Sequence, residues 1–256
     1  MVVVCRWSKP LWASIMTVLT DCTISLADLT FHYREAGDPT APPLILLHAL
    51  GCDAHDWDEI TPILAERYHV FALDQRGHGE TSRPELYSFE AMRDDLKAFV
   101  DTLSIDTFTL IGHSMGGTVA FLFAEMWPER IVRLVVEDTS PPFVPTAELA
   151  RQLPDIPDEP PNSVPYDWRL VKPIVRQLYS PDPLWWENLA TITIPTLIIG
   201  GGSTSHVPQE ELAEVAHLIP DCRLVTIEGA EHSVHQNRPS EYNDPLRDFL
   251  FRQGSM

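Results

Sequence analysis

The chain has 256 residues, 44% of them hydrophobic. That is enough for one large domain, or one domain with a small insertion, around a well-buried core. Thirty-seven acidic residues against 18 basic ones give a net charge of −19, which argues against nucleic acid and anionic membranes as partners.

In chain order, the first segment is "CRWSKPLWASIMTVLTDC", where Arg6 and Lys9 precede a mildly apolar run. This is faintly like a signal peptide. The run is short and threonine-rich, no small-x-small site follows cleanly, and Asp21 ahead of Cys22 speaks against a lipoprotein. The favoured reading is an upstream extension over residues 1–20, outside the core, with Met16 opening the domain proper. Nothing here approaches the ~20 apolar residues of a membrane span. Cys5, Cys22, Cys52 and Cys222 are scattered, with no CxxC pair. That argues against zinc and against a disulfide framework, and fits a reducing cytoplasm.

Six short apolar runs follow: "LILLH" (44–48), "VFALD" (70–74), "TLIGH" (109–113), "IVRLVVED" (131–138), "PTLIIG" (195–200) and "RLVTIEG" (223–229). They are near-continuous rather than alternating, as strands covered on both faces must be. Helical patterns lie between them. After Ser88, a good N-cap, Phe89, Met92, Leu96, Phe99 and Leu103 share one helix face. "PQEELAEVAHLIP" (208–220) is another helix, bounded by prolines, and a terminal helix is expected over about 239–251. The alternation predicts an α/β fold: a doubly wound, mostly parallel sheet with helices on both faces. The core is expected to comprise 21–140 and 191–256. Residues 141–190 carry no strand signal. They open proline-rich, then show helical stretches near 167–178 and 183–190 bearing Trp168, Tyr179, Trp185 and Trp186. This segment is read as a small helical lid over the strand ends; a wandering connection with packed aromatics is the alternative.

Ten of the twelve glycines sit in five loops, each directly after an apolar run. Ligands bind at those carboxyl ends in open parallel sheets. "LIGHSMGGTVAFLFAEMW" (110–127) is the informative stretch: strand, Gly-x-Ser-x-Gly, helix. The turn is so tight that Gly112 and Gly116 are required, and the middle residue, Ser114, is forced outward at a helix N-terminus. A serine hydroxyl needs a base. Of ten histidines, His232 in "EGAEHSVHQNRP" follows the last strand on a Gly229 turn. His235 is its rival, better suited to packing, and His113 must point away from Ser114. An acyl-transfer oxyanion needs two backbone donors: Met115 after the nucleophile, and Leu50 in "LLHALGCDAHDW".

Together with "LDQRGHGETSRP" (73–84), these pieces resemble the α/β-hydrolase superfamily from about Ile24 onward. The resemblance implies a nucleophile elbow at Ser114, the base His232, and an oxyanion hole of Leu50 and Met115. It also implies a mostly structural loop of Asp74, Arg76, Gly77 and Gly79, with His78 within it, although Arg76 and His78 invite a catalytic reading. Ala49 stands where the family usually has Gly. The family most often places its acid in the loop after the strand 195–200, yet "GGGSTSHVP" has none; Thr204 occupies that position. Other members carry the acid after the preceding strand, here "RLVVED". The neighbour spacing of ~4.8 Å brings that strand within reach of the histidine. Adjacent strand residues point to opposite faces, so one of Asp138 and Glu137 can serve. The resemblance favours Asp138, with Glu137 as the alternative acid and Glu210 as a more distant one.

The expected activity is a cofactor-independent, metal-free serine hydrolase acting on a small ester, lactone or thioester, with a small-molecule substrate as its only foreseen partner. A lyase or C–C bond hydrolase using the same pair is an alternative. A non-catalytic receptor on the same fold is a third reading, disfavoured because Ser114 and His232 are both present.

Overall fold

The computed structural model describes residues 4–5, 18–142 and 153–251. The start of the proline-rich segment (143–152) and most of the N-terminal run, with Met16, lie outside them. Among the described residues there are nine strands: β1 (Val4–Cys5), β2 (Thr20–Leu26), β3 (Leu29–Ala36), β4 (Pro43–Leu47), β5 (His69–Leu73), β6 (Phe108–His113), β7 (Ile131–Glu137), β8 (Thr196–Gly200) and β9 (Cys222–Thr226). The helices are α1 (Thr61–Leu64), α2 (Phe89–Thr102), α3 (Met115–Met126), α4 (Val171–Tyr179), α5 (Leu184–Glu187), α6 (Gln209–Leu218), α7 (Val234–Asn237) and α8 (Pro239–Phe251). None of the described helices is long and apolar enough to cross a membrane.

One sheet runs in the order β1-β2-β3-β5-β4-β6-β7-β8-β9. From β5 to β9 every pairing is parallel. Alternate residues of β4 feed opposite cores: Ile45 and Leu47 pack with α2 and α3, while Leu44 and Leu46 pack with Trp57, Leu64, Tyr242 and Leu246. Burial on both faces is why this strand reads as an unbroken apolar run. Each such side chain contributes roughly 1.5–3 kcal/mol.

β2 and β3 had no counterpart among the six runs. They form an antiparallel hairpin, registered from Thr20↔Glu35 to Leu26↔Leu29, turning at Ala27 with φ +50°. In β2, buried Cys22, Ile24 and Leu26 alternate with more exposed residues. That is a one-sided strand, and it has no continuous apolar signature.

The chain leaves β5, crosses β4 and resumes at β6, so the strand order reverses there. This opens a crevice at the carboxyl ends of β4 and β6. Ser88 caps α2 by accepting from Ala91 N–H at 3.1 Å. Residues 153–191 dock across the same end of the sheet. Asp167 N–H donates to Gly77 C=O at 2.8 Å and Tyr87 Oη donates to Asp167 at 2.6 Å. The Tyr166 ring lies 3.2 Å from where a Gly51 Cβ would sit. Trp185 is buried, edge-on to Phe89, so this tryptophan packs in the core.

Candidate active site

Ser114 lies between β6 and α3, as the N-cap of α3, with φ +52° and ψ −116°, a conformation that a non-glycine residue holds only when its surroundings enforce it. The enforcement is steric. A Cβ on Gly112 would lie 2.3 Å from Gly116 C=O, and one on Gly116 would lie 2.3 Å from Leu47 C=O. The Ser114 N–H is held by Glu137 C=O at 3.1 Å, and its side chain makes no helix-capping bond. The hydroxyl therefore points outward and meets His232, with Oγ 2.8 Å from Nε2.

His232 lies in the loop after β9, between Glu231 at φ +60° and α7. Its Nδ1–H donates to Asp138 Oδ2 at 2.9 Å, so Nε2 is left to accept from the serine. Asp138 follows β7 and is fully buried. Its N–H pairs with Ile199 C=O at 2.8 Å while its φ of +43° turns the carboxylate toward His232.

The loop after β8, which lacks an acid, instead surrounds this carboxylate with donors. Gly201 N–H donates to Oδ1 at 2.7 Å, the Ser205 hydroxyl to Oδ2 at 2.5 Å, and the Gln209 amide to Oδ1 at 3.3 Å. Burial alone would raise the pKa of Asp138; the bonds from His232, Ser205, Gly201 and Gln209 outweigh it and hold the carboxyl below its usual value. Thr204, at the family's usual acid position, accepts from Glu231 N–H at 3.2 Å and so steadies the histidine loop.

Glu137 faces the opposite way. It accepts from His235, at 3.0 Å from the backbone N–H and 2.8 Å from Nδ1, and does not reach His232. His235 is buried on α7. Glu210 is exposed at the start of α6. His113 turns from Ser114 and bonds the His232 carbonyl through Nε2 at 2.9 Å.

Leu50 sits in a turn closed by Cys52 N–H on Ala49 C=O at 3.1 Å, and Met115 is the first residue of α3. Two buried histidines hold the Leu50 turn. His48 Nδ1–H donates to Ala49 C=O at 2.8 Å while its Nε2 accepts from Gln75 N–H at 3.0 Å. His78 Nε2 accepts from Gly51 N–H at 3.2 Å. Burial, reinforced by His48, pushes His78 down to about 3, so it stays a neutral acceptor. Arg76 makes two bonds to Asp95, at 2.5 and 2.6 Å, and a third to Leu86 C=O. Both residues of the 74–79 loop thus brace the scaffold.

Ser205, Gln209 and His206 escaped sequence reasoning. The His206 ring packs on His232, with centroids 4.2 Å apart. Burial, then the nearby His232 charge, lowers its pKa. No local motif marks these residues, because their partners are distant in sequence, 67 and 71 positions away for Ser205 and Gln209.

A family model described as the alpha/beta hydrolase fold matches residues 42–165. The chain is 26% identical to the sn-1-specific diacylglycerol lipase ABHD11 of Mus musculus, over 84% of this chain and 82% of that protein. It is 25% identical to the esterase YbfF of Escherichia coli, over 81% and 92%. Among solved structures, E-2-(acetamidomethylene)succinate hydrolase superposes with a TM-score of 0.77 at 22% identity, covering 92% of this chain and all of that one. Fold, strand order and these comparisons agree: the chain has the α/β-hydrolase fold, and the proteins it resembles are α/β-hydrolases.

Proposed function

We propose that the protein is a serine hydrolase that cleaves a small carboxylic ester, lactone or thioester through an acyl-enzyme on Ser114. The observation that carries this reading is the continuous chain from Ser114 Oγ to His232 Nε2 at 2.8 Å and from His232 Nδ1 to Asp138 at 2.9 Å. Ser114 attacks the carbonyl carbon and passes its proton to Nε2. Asp138 stabilises the imidazolium and fixes its tautomer. The N–H groups of Met115 and Leu50 receive the oxyanion. His232 then protonates the leaving alkoxide or thiolate, and next activates the water that releases the acid. The step needs no cofactor.

The substrate reading draws on the relatives: the mouse protein is named for a diacylglycerol and the bacterial one for an ester, so a carboxylic ester is the shared bond. The segment 141–190 acts as the lid, with Tyr166 against Gly51 of the oxyanion turn setting one wall.

The test is a fluorophosphonate probe with the adduct located by peptide mass spectrometry, alongside a panel of p-nitrophenyl esters and lactones. Labelling at Ser114 with ester turnover is expected, and strongly slowed labelling in Asp138→Asn. An unlabelled Ser114 with no ester or lactone turned over would overturn the proposal in favour of lyase chemistry or ligand reception.

A further inference from the structure

Beneath Ser114 and His232 lies a second group of ionisable side chains that acyl transfer leaves unused. Asp56, His113, Glu137 and His235 come from four separate parts of the chain, and none of their side chains is more than 2% exposed. His235 is bound at both ends. Nδ1 lies 2.8 Å from each Glu137 oxygen. Nε2 faces Asp56, 3.2 Å from its carbonyl and 3.6 Å from Oδ1. Both ring nitrogens meet acceptors only, so the ring is a cation between two carboxylates. Burial alone would push its pKa down; Glu137 and Asp56 outweigh that and raise it to about 10. Trp57 stacks on it at 4.6 Å.

His113 stands between this cluster and the triad. Its ring centroid is 5.3 Å from that of His235 and 4.9 Å from that of His232. Its Nε2 lies 2.9 Å from the main-chain carbonyl of His232. A carbonyl only accepts, so Nε2 carries the proton. Nδ1 looks toward Asp56 Oδ2 at 3.8 Å. His113 is also the residue before Ser114. One residue is therefore continuous with the nucleophile and hydrogen-bonded to the main chain of the base, across 119 positions of sequence.

We infer that His113 is a positioning residue, which sets the distance between Ser114 and His232 by holding the His232 main chain, and that the buried Asp56–His235–Glu137 ion group holds His113 in turn. The inference rests on reading Ser114 and His232 as nucleophile and base. Asp138 orients the imidazole from its Nδ1 side; His113 fixes where that imidazole starts. Partners that orient a reacting side chain typically change its performance by about 10- to 100-fold.

The experiment compares His113→Gln, whose amide N–H can reach the carbonyl from near the Nε2 position, with His113→Asn, whose amide falls short. Fluorophosphonate labelling rates, kcat and KM on p-nitrophenyl acetate, and melting temperature are measured for each. The expected result is kcat and labelling reduced about 10- to 100-fold in His113→Asn with KM unchanged, and within about threefold of wild type in His113→Gln. Equal activity in both variants, whether high or low, would overturn the inference, since packing alone does not distinguish them. Labelling of the wild type separately tests the hydrolase reading. If the wild type is inert, the ¹⁵N shifts of the His232 ring decide the role of His113: they move in His113→Asn and stay in His113→Gln, or the inference is wrong. His113, Glu137 and His235 also offer ligand atoms within 4.8 Å of one another. A stoichiometric divalent metal in the purified protein, lost on His113→Gln, would likewise overturn it.

Discussion

Ser205 and His232 donate to the same oxygen: Asp138 Oδ2 lies 2.5 Å from the Ser205 hydroxyl and 2.9 Å from His232 Nδ1. The loop that lacks an acid therefore serves the acid of its neighbouring strand. Ser205 is a donor to the carboxylate of the proposed triad. A hydrogen bond to a charged group contributes about 1.5–3 kcal/mol. Ser205→Ala is expected to lower kcat/KM by about tenfold and to raise the pKa of Asp138, moving the acid limb of the pH–rate profile upward. An unchanged profile would show that Gly201 and Gln209 suffice.

The two adjacent carboxylates separate by consequence. Asp138→Asn is expected to cost ~10⁴-fold in kcat, because the imidazole loses its orienting charge, with little change in melting temperature. Glu137→Gln is expected to weigh first on stability. It leaves the His235 cation with a weakened partner, at about 3 kcal/mol, and lowers the turnover of the folded fraction only through His113, by at most about 100-fold. Parallel assays of activity and thermal unfolding on the two variants check this; a Glu137→Gln enzyme as inactive as Asp138→Asn would contradict the division.

Gly201 admits no side chain. A Cβ there would lie 1.7 Å from the Glu231 carbonyl, one residue from His232. Gly201→Ala must push the two loops apart, stretching the 2.7 Å bond from Gly201 N–H to Asp138 and displacing the base. A loss of kcat of about 10²-fold is expected in a protein that still folds. Steady-state kinetics with circular dichroism decide; full activity would mean the loops yield freely.

Glu125 on α3 offers a pH test remote from the site. Burial, opposed by Arg93 and then by Asn188, raises its carboxyl from the ordinary 4.5 to about 8. Between those values the native state holds a proton that the unfolded chain has released, so stability falls as pH rises through the window. Glu125→Gln removes that loss. The variant is expected to melt with wild type near pH 5 and above it beyond pH 8. A constant difference across pH would refute the assignment.

Strands covered on both faces were legible because Leu44 through Leu47 must all be apolar. The β2–β3 hairpin was not, because Cys22, Ile24 and Leu26 alternate with polar residues and the strand packs on one side only. The turn at Ser114 was readable through Gly112 and Gly116, whose requirement is local. That Asp138 and Glu137 point apart follows from strand geometry; which of them meets His232 depends on the turn after β7. The donors of Ser205 and Gln209 to Asp138 span 67 and 71 residues, and only the assembled sheet brings them together.

Ser114 and His232 are 118 positions apart, and their meeting depends on parallel strands joined by long crossovers. Such non-local pairing forms late, after the loop-closure entropy of the intervening chain has been met. During refolding, recovery of helical signal should therefore run ahead of recovery of serine reactivity. A covalent serine probe would report completion of the native topology, a sterner criterion than compaction or secondary structure.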